Sequence, residues 1–552
     1  MSGAELQARL LRWLAAMPFL DRLELAAVSG VSERAAYYAM AALEDAGLAA
    51  ALPHGSDLIR PTRRFHVTAR GLSRLAAGEG VPTETLLRTH PVSAQWRRIL
   101  LQRLDAVAAV YRLAAAVAAE RGSLEGFRWF RAMALDAVLV LPDGRSVGVV
   151  RQGPTADRTA FAKRLRRLYE GKLPGSLLVL ASDGSRLRHT RRLLDGLPMP
   201  TFIALERDAA SAAAHGPVWN TPSGKAALSL RTALSGARPG RAMPAEKQRL
   251  RASMPADLPR GCSSDPAPGE LLPARLRPAE KRALDLLAEW PWLTPAHLGA
   301  LLGVGSPRLS QVMGRLQALR LTVSVIAGER RRFALTDRGL ALVARRDRVS
   351  VGAARGRWSA APIDPYALLT WRNVSGARSR QLLRNIEHTE AVHGFAAGLA
   401  EQARSTDCQV AQFDPPHRAS RFFRHRGRLH SIRPDAFGIL RGGDRPMPFF
   451  LEWERRAVRP VTMAARLAPY LRYFASARDD DGNGMQPALL VVFEDELTAV
   501  HFLRVARRET ARTGVRVPLW VSHAGLLDRE GPLGRAWLAQ GGWEPRRAFP
   551  MR

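Results

Sequence analysis

Apolar positions recur along this chain in two rhythms that take turns. The opening stretch MSGAELQARLLRWLAAMPFL carries Glu5, Arg9 and Arg12 inside a helical apolar spacing, which predicts an amphipathic helix and not a signal peptide. Leu20, Leu23, Leu25 and Ala26 precede a turn, SGVS at 29–32, after which Ser32 is placed to cap a helix running to about Leu43. A hairpin of two short strands follows, carrying Arg60, Arg63 and Arg64. The same succession returns later. Thr294 caps PAHLGALLG, GVGSP makes the turn, Ser306 caps the next helix with Pro307 at its first helical position, and Arg330, Arg331 and Arg332 lie on the hairpin.

The return keeps a register. RRFHVTARGLSRLA (63–76) matches RRFALTDRGLALVA (331–344), pairing Phe65 with Phe333, Thr68 with Thr336, Arg70 with Arg338 and Gly71 with Gly339 at an offset of 268. Further on, FAKRLRRLYEG (161–171) resembles MAARLAPYLRYFA (463–475) at an offset of 302, and GSLLVLASD (175–183) resembles PALLVVFED (487–495). LDAVLVLPDGRSVGVVRQ (135–152) faces PDAFGILRGGDRPMPFFLEWE (434–454). Strands alternating with helices predict an α/β layer around a mixed sheet. A chain written twice in this way is a pseudo-dimer, able to meet two half-sites with one of them silent.

Two short helices joined by a tight turn and followed by a basic hairpin resemble winged helix-turn-helix domains. The resemblance implies that the third helix enters the major groove and the hairpin touches the backbone. The candidate DNA-binding residues are Arg34, Tyr37, Tyr38, Arg63 and Arg64 in the first copy. In the second they are Arg308, Gln311, Arg315, Arg330, Arg331 and Arg332.

Charge sharpens that reading. The 552 residues hold 83 Lys and Arg against 50 Asp and Glu, a net charge of +33. Only five of the cations are lysines. A surplus of this size calls for a polyanion, and no basic helix with a clean apolar face points to a membrane surface, so double-stranded DNA is the expected partner. Two cysteines, Cys262 and Cys408, make neither a disulfide framework nor a four-ligand zinc site. The run 104–122 is broken by Asp105 and Arg112 and is too short to cross a bilayer, and the expected location is the cytoplasm. No G-x-x-x-x-G-K-[ST] loop supports a nucleotide-driven motor. The histidines are too scattered for a tyrosine transesterase.

Against this basic background, SIRPDAFGIL (431–440) and PFFLEWERRAVRP (448–460) place Asp435, Glu452 and Glu454 in strand-like segments. Glu452 and Glu454 flank Trp453 and so share a face, and Asp435 falls on the neighbouring strand. Three like charges there need a divalent cation or an arginine between them, and Arg433, Arg455 and Arg456 are at hand.

Pro434-Asp435 followed by Glu452-Trp453-Glu454 resembles the PD-(D/E)xK nuclease superfamily. The resemblance implies that Asp435 and Glu452 hold Mg²⁺, and that the third position, Glu454 where Lys is usual, sits beside the attacking water. The whole is more similar to the replication-relaxation proteins of plasmids and integrative elements. The matching residues are Pro434, Asp435, Ala436, Glu452, Glu454, Arg455, Tyr470 and Tyr473, with His388 and Glu390 opening the helix before the sheet. This likeness covers about 278–525 and is faint over 1–215.

The expected architecture is therefore α/β multidomain, two winged helix-turn-helix domains alternating with two restriction-endonuclease-like modules. The boundaries are 1–80 for a winged helix, 95–215 for a degenerate nuclease-like module, 235–277 for a linker, 278–348 for the second winged helix, 380–525 for the nuclease-like module and 526–552 for a tail. Asp136 stands opposite Asp435, but Val150 and Gln152 stand opposite Glu452 and Glu454, so the first module is expected not to cleave. The resemblance implies an accessory role in relaxation, mobilisation or replication of a mobile element, with weak or no catalysis and with a relaxase or other mobilisation protein as partner. A Mg²⁺-dependent DNA endonuclease with catalytic Asp435, Glu452 and Glu454 is the alternative, and a transcriptional regulator a third.

Overall fold

The computed structural model describes residues 2–171, 173–211, 215–224, 226–238, 251–256, 258, 269–442, 445–455, 460–476 and 485–549. The chain forms two compact units, Met1–Asp285 with Ala341–Ala354, and Leu286–Leu340 with Arg355–Arg552.

In the first unit, α1 (Gly3–Ala16) and α2 (Arg22–Ser29) each open on a capping box, Ser2 with Glu5 and Asp21 with Glu24. Gly30 ends α2 in the left-handed conformation. Ser32 caps α3 (Glu33–Asp45) by accepting from the Ala35 N–H, as its position in the sequence indicates. An antiparallel hairpin follows, β1 (Ala49–His54) and β2 (Thr62–Val67). The repeated Thr-x-x-Gly then has a physical reason. Thr68 caps the next helix, and a Cβ on Gly71 would stand 2.0 Å from the Leu48 carbonyl oxygen. Thr336 and Gly339 repeat this, with 2.2 Å to the Leu321 carbonyl oxygen.

The long apolar helix α4 (Leu104–Arg121) leads into a seven-stranded sheet. Its strands are β3 (Gly126–Trp129), β4 (Ala137–Val140), β5 (Ser146–Gln152), β6 (Ser176–Ala181), β7 (Thr201–Leu205), β8 (Trp219–Asn220) and β9 (Ala227–Leu228), in that spatial order. The β3, β4 and β5 pairs are antiparallel, and β5, β6 and β7 pair parallel. Helix α5 (Arg158–Tyr169) crosses from β5 to β6. One apolar core runs from α1 through α4 onto a face of this sheet, so segments 1–80 and 95–215 do not have separate cores. The sheet also continues past residue 215 in β8 and β9.

The second unit repeats the pattern of pairing. Here α6 (Pro295–Leu302) is capped by Thr294, while α7 (Ser306–Ala318) starts one residue earlier than the sequence suggests. Extended Gly305 takes the cap position and Ser306 makes no cap bond. The hairpin β10 (Thr322–Ala327) and β11 (Arg330–Leu335) follows. After α8 (Ile386–Arg404) come β12 (Cys408–Asp414), a separate hairpin of β13 (Arg421–His425) and β14 (Arg428–Ile432), then β15 (Ala436–Gly442) and β16 (Arg445–Glu454). Next are α9 (Pro460–Ala475), β17 (Ala488–Phe493), α10 (Glu496–Thr513), β18 (Leu519–His523) and β19 (Leu538–Ala539). The six-stranded order is β12-β15-β16-β17-β18-β19, antiparallel through β16 and parallel through β18.

Three boundaries differ from the sequence expectation. Within the expected tail 526–552, the described residues 526–549 are packed, since β19 extends the sheet and Trp537 is fully buried. Segment 278–348 is not one body, because Ala341–Ala354 belongs to the first unit, held there by the Arg346–Asp285 and Arg151–Asp347 ion pairs. About half of the 235–277 linker lies outside the described residues, as does Cys262, while Leu272–Arg275 is helical and Leu271 and Ala274 are buried in the first unit's core. No described helix is long and apolar enough to cross a membrane.

Candidate functional site

β15 and β16 pair with Ala436 opposite Leu451. That register sets Asp435 opposite Glu452, and the Asp435 N–H donates to the Leu451 carbonyl at 2.9 Å. Asp435, Glu452 and Glu454 therefore share one face of the sheet. Phe437, Ile439, Phe450, Val491 and Phe493 fill the core under α9 on that face.

Each carboxylate has a protein partner. Asp435 Oδ1 lies 2.9 Å from Nε2 of His388 on α8, and its Oδ2 accepts from the Trp453 N–H at 2.8 Å. The Tyr470 hydroxyl, from α9, donates to Glu452. Glu454 pairs with Arg466, also on α9. Burial pushes the Glu452 carboxyl up and the facing Asp435 adds to this, against the pull of Tyr470 and Arg466, leaving it at about 8. A carboxyl of that kind is neutral at pH 7 and offers both a donor and an acceptor. Burial, with Glu452 beside it, likewise lifts the Tyr470 hydroxyl well above the ordinary phenol range.

A Mg²⁺ ion asks for an octahedral set of anionic oxygens. Here Glu452 is held by the Tyr470 hydroxyl, Glu454 is bound by a guanidinium and Asp435 is shared between a histidine and a backbone N–H. Among the described residues no group of three His, Cys, Asp or Glu is arranged to hold a metal. The set as it stands does not fit the ion, and the carboxylates form a hydrogen-bonded network instead. The neutralising arginine is Arg466. Arg433 is exposed, Arg455 pairs with Glu387 and Glu494, and Arg456 lies outside the described residues. Beside the network is a cavity of about 430 Å³, lined in part by Arg433, Glu452, Glu454, Arg466, Tyr470 and Phe493.

The first unit holds the same backbone frame with different side chains. Asp136 accepts from the Arg151 N–H at 2.7 Å and its own N–H donates to Val149 at 2.8 Å, as Asp435 does with Trp453 and Leu451. Opposite Glu452 and Tyr470, at an offset of 302, stand Val150 and Leu168, both buried in one apolar cluster. Opposite Arg466 stands Arg164, whose guanidinium lies 2.7 Å from Asp136, and Arg348 adds a second ion pair at 2.8 Å. Burial alone would raise the Asp136 carboxyl, but Arg164 and Arg348 outweigh it and hold it well below the carboxylate range. Burial, moderated by Asp136, brings the Arg164 guanidinium down to about 10. Gln152 accepts from the Thr190 hydroxyl at 2.7 Å.

The expected DNA-binding residues divide. Arg34, Tyr37 and Tyr38 are exposed on α3, and Arg22 stacks on the Tyr37 ring at 4.4 Å. Arg308 and Gln311 are exposed on α7 and bonded to each other at 3.1 Å, with Arg315 half-buried one turn on. Arg63 is tied to Glu44, Arg330 is exposed but paired with Glu390, and Arg331 is exposed. Arg64 and Arg332 are a correction. Their side chains are 0% and 1% exposed and are clamped by Glu24 and Glu390 respectively, so both anchor their hairpins and neither is presented to a ligand.

The matched pair Glu452–Tyr470 carried a signal in the sequence. Both align with apolar residues, Val150 and Leu168, at one offset. His388 as the partner of Asp435 had no such signal, because its helix has no fixed register to the sheet in the sequence.

Residues 284–489 match the replication-relaxation family model. No curated protein and no solved structure matches the chain. The matched segment takes in Asp435, Glu452, Glu454, Tyr470 and His388, and it starts inside the helix Pro278–Glu289.

Proposed function

We propose that this chain is a duplex-DNA-binding accessory protein for replication, relaxation or mobilisation of a plasmid or integrative element, and that its carboxylate network is catalytically weak or inactive. In this reading each copy is a winged helix-turn-helix joined to a restriction-endonuclease-like sheet, and the first copy is architectural. A relaxase or another mobilisation protein is the proposed partner. The observation that carries the reading is the outward face of α7, with Arg308, Gln311 and Arg315 spaced for one groove, in a chain of net charge +33. Internal engagement of all three carboxylates supports the weak-or-inactive part.

A gel shift on duplex, nicked and single-stranded DNA, run beside a plasmid-nicking assay with Mg²⁺ or Mn²⁺, tests both parts. Duplex binding that weakens about a thousandfold between ~50 and ~200 mM salt, without nicking, is the expected result. Absence of duplex binding ends the DNA reading. Nicking that vanishes in the Asp435→Ala, Glu452→Ala double variant while binding persists replaces it with the endonuclease reading, which the facing of Asp435 and Glu452 favours.

A further inference from the structure

β3 reaches β4 through residues 130–136, but β12 reaches β15 through 415–435, and the added length builds the hairpin β13–β14. Its register pairs Phe422 with Ser431, Phe423 with His430 and Arg424 with Leu429. Alternation then gives it two faces. The inner one is anchored: Phe423 and Ile432 are 3% and 1% exposed in the core under α9, and Phe423 meets Tyr473 edge-on at 5.3 Å. The outer one is bare, with Phe422 65% and Leu429 67% exposed on either side of Arg424. From 415 to 434 there are six arginines and three histidines and no acid.

Arg424, Arg426, Arg428 and Arg433 have no carboxylate partner among the described residues, whereas Arg418 is neutralised by Asp414 and Glu289. At the tip, Arg426 and Gly427 both have positive φ, 48° and 77°. That turn favours Asn-Gly, so an arginine in its first central place is held there against conformational preference.

We propose that this hairpin is a duplex-DNA contact separate from α3 and α7, a two-stranded ribbon with Arg424, Arg426 and Arg428 on backbone phosphates and Phe422 and Leu429 against the groove. A ribbon of this width fits the major groove. Arg424, Arg426 and Arg428, with no carboxylate beside them in a run free of acids, are matched by a polyanion, and the apolar pair among them suits base edges and thymine methyl groups. Ser431, Ile432 and Arg433 at the hairpin's base line the cavity beside Glu452 and Glu454, so DNA on the ribbon lies next to the carboxylate network. The inference rests on the proposed DNA-binding function.

The test is duplex binding by the full chain as a function of salt, wild type against the triple variant Arg424→Gln, Arg426→Asn, Arg428→Gln. The triple variant is expected to lose about 10- to 100-fold in affinity at ~0.15 M salt, with the slope of log K against log salt flatter by about 2 to 3. Arg426→Asn alone suits the turn and leaves folding intact, and its slope is expected to flatten by about 1. Wild-type affinity and slope in these variants overturn the proposal while leaving the helix-based reading untouched. A wild-type chain that does not bind duplex DNA overturns both. An unchanged slope, with a changed oligomeric state in Phe422→Ser, Leu429→Ser, assigns the face to protein docking and overturns it as well.

Discussion

Glu452→Gln is a small change with a large, pH-dependent consequence. In the unfolded chain the carboxyl ionises near its ordinary value of 4.5, while in the folded chain it stays protonated to about 8. Its folded value is raised, so the folded state binds more protons between those limits, and stability falls as pH rises through the window. The slope is about 1.4 kcal/mol per pH unit, which over the window totals about 4 to 5 kcal/mol. The side chain keeps some solvent access, and about 3 kcal/mol is a fairer figure. In a unit of this size that corresponds to roughly 10 °C in Tm. Glutamine keeps the shape and a hydrogen bond to Tyr470 but cannot ionise. Scanning calorimetry of the full chain at pH 5, 6, 7 and 8 reads the difference. The relevant transition is the one that also moves in Val492→Ala, a fully buried strand position of the same unit. The Tm advantage of Glu452→Gln over wild type should grow from near zero at pH 5 to several degrees at pH 8. A difference that stays constant with pH would refute the buried neutral carboxyl.

Two further outcomes test the comparison between the units. Glu452→Val and Tyr470→Leu import the apolar pair of the first unit. Each alone should destabilise by about 1 to 3 kcal/mol in denaturant titration, and the double variant by clearly less than their sum. Asp136→Asn removes the anion that two largely enclosed arginines share. It should cost about 3 to 5 kcal/mol, read as a lowered Tm of the first unit, whereas Asp143→Asn at an exposed turn should cost under about 1 kcal/mol.

Local chemistry explains why some of this was legible in the sequence. Ser32 and Thr294 cap because a hydroxyl before an apolar helix has one good use, and Gly71 and Gly339 recur because a Cβ there would strike a carbonyl. Asp435 faces Glu452 because period-two alternation and a short hairpin leave little choice. What the sequence hid depends on long-range packing. Arg64 and Arg332 sit in basic runs that look solvent-facing, yet every second strand residue turns inward, and Glu24 and Glu390 meet them there. Arg466 and His388 come from helices whose rotation against the sheet is set by the whole core. The segment around Arg348 joins the first unit through ion pairs some two hundred residues apart in the chain, which no local pattern records.

The guanidiniums of Arg164 and Arg348 stand against Asp136, the residue of the first unit that aligns with Asp435. A cation supplied by the polypeptide is present at every divalent-ion concentration and cannot be removed by a chelator. The scaffold of the N-terminal unit should therefore be assembled in full as soon as the chain folds, indifferent to the ionic supply of its surroundings.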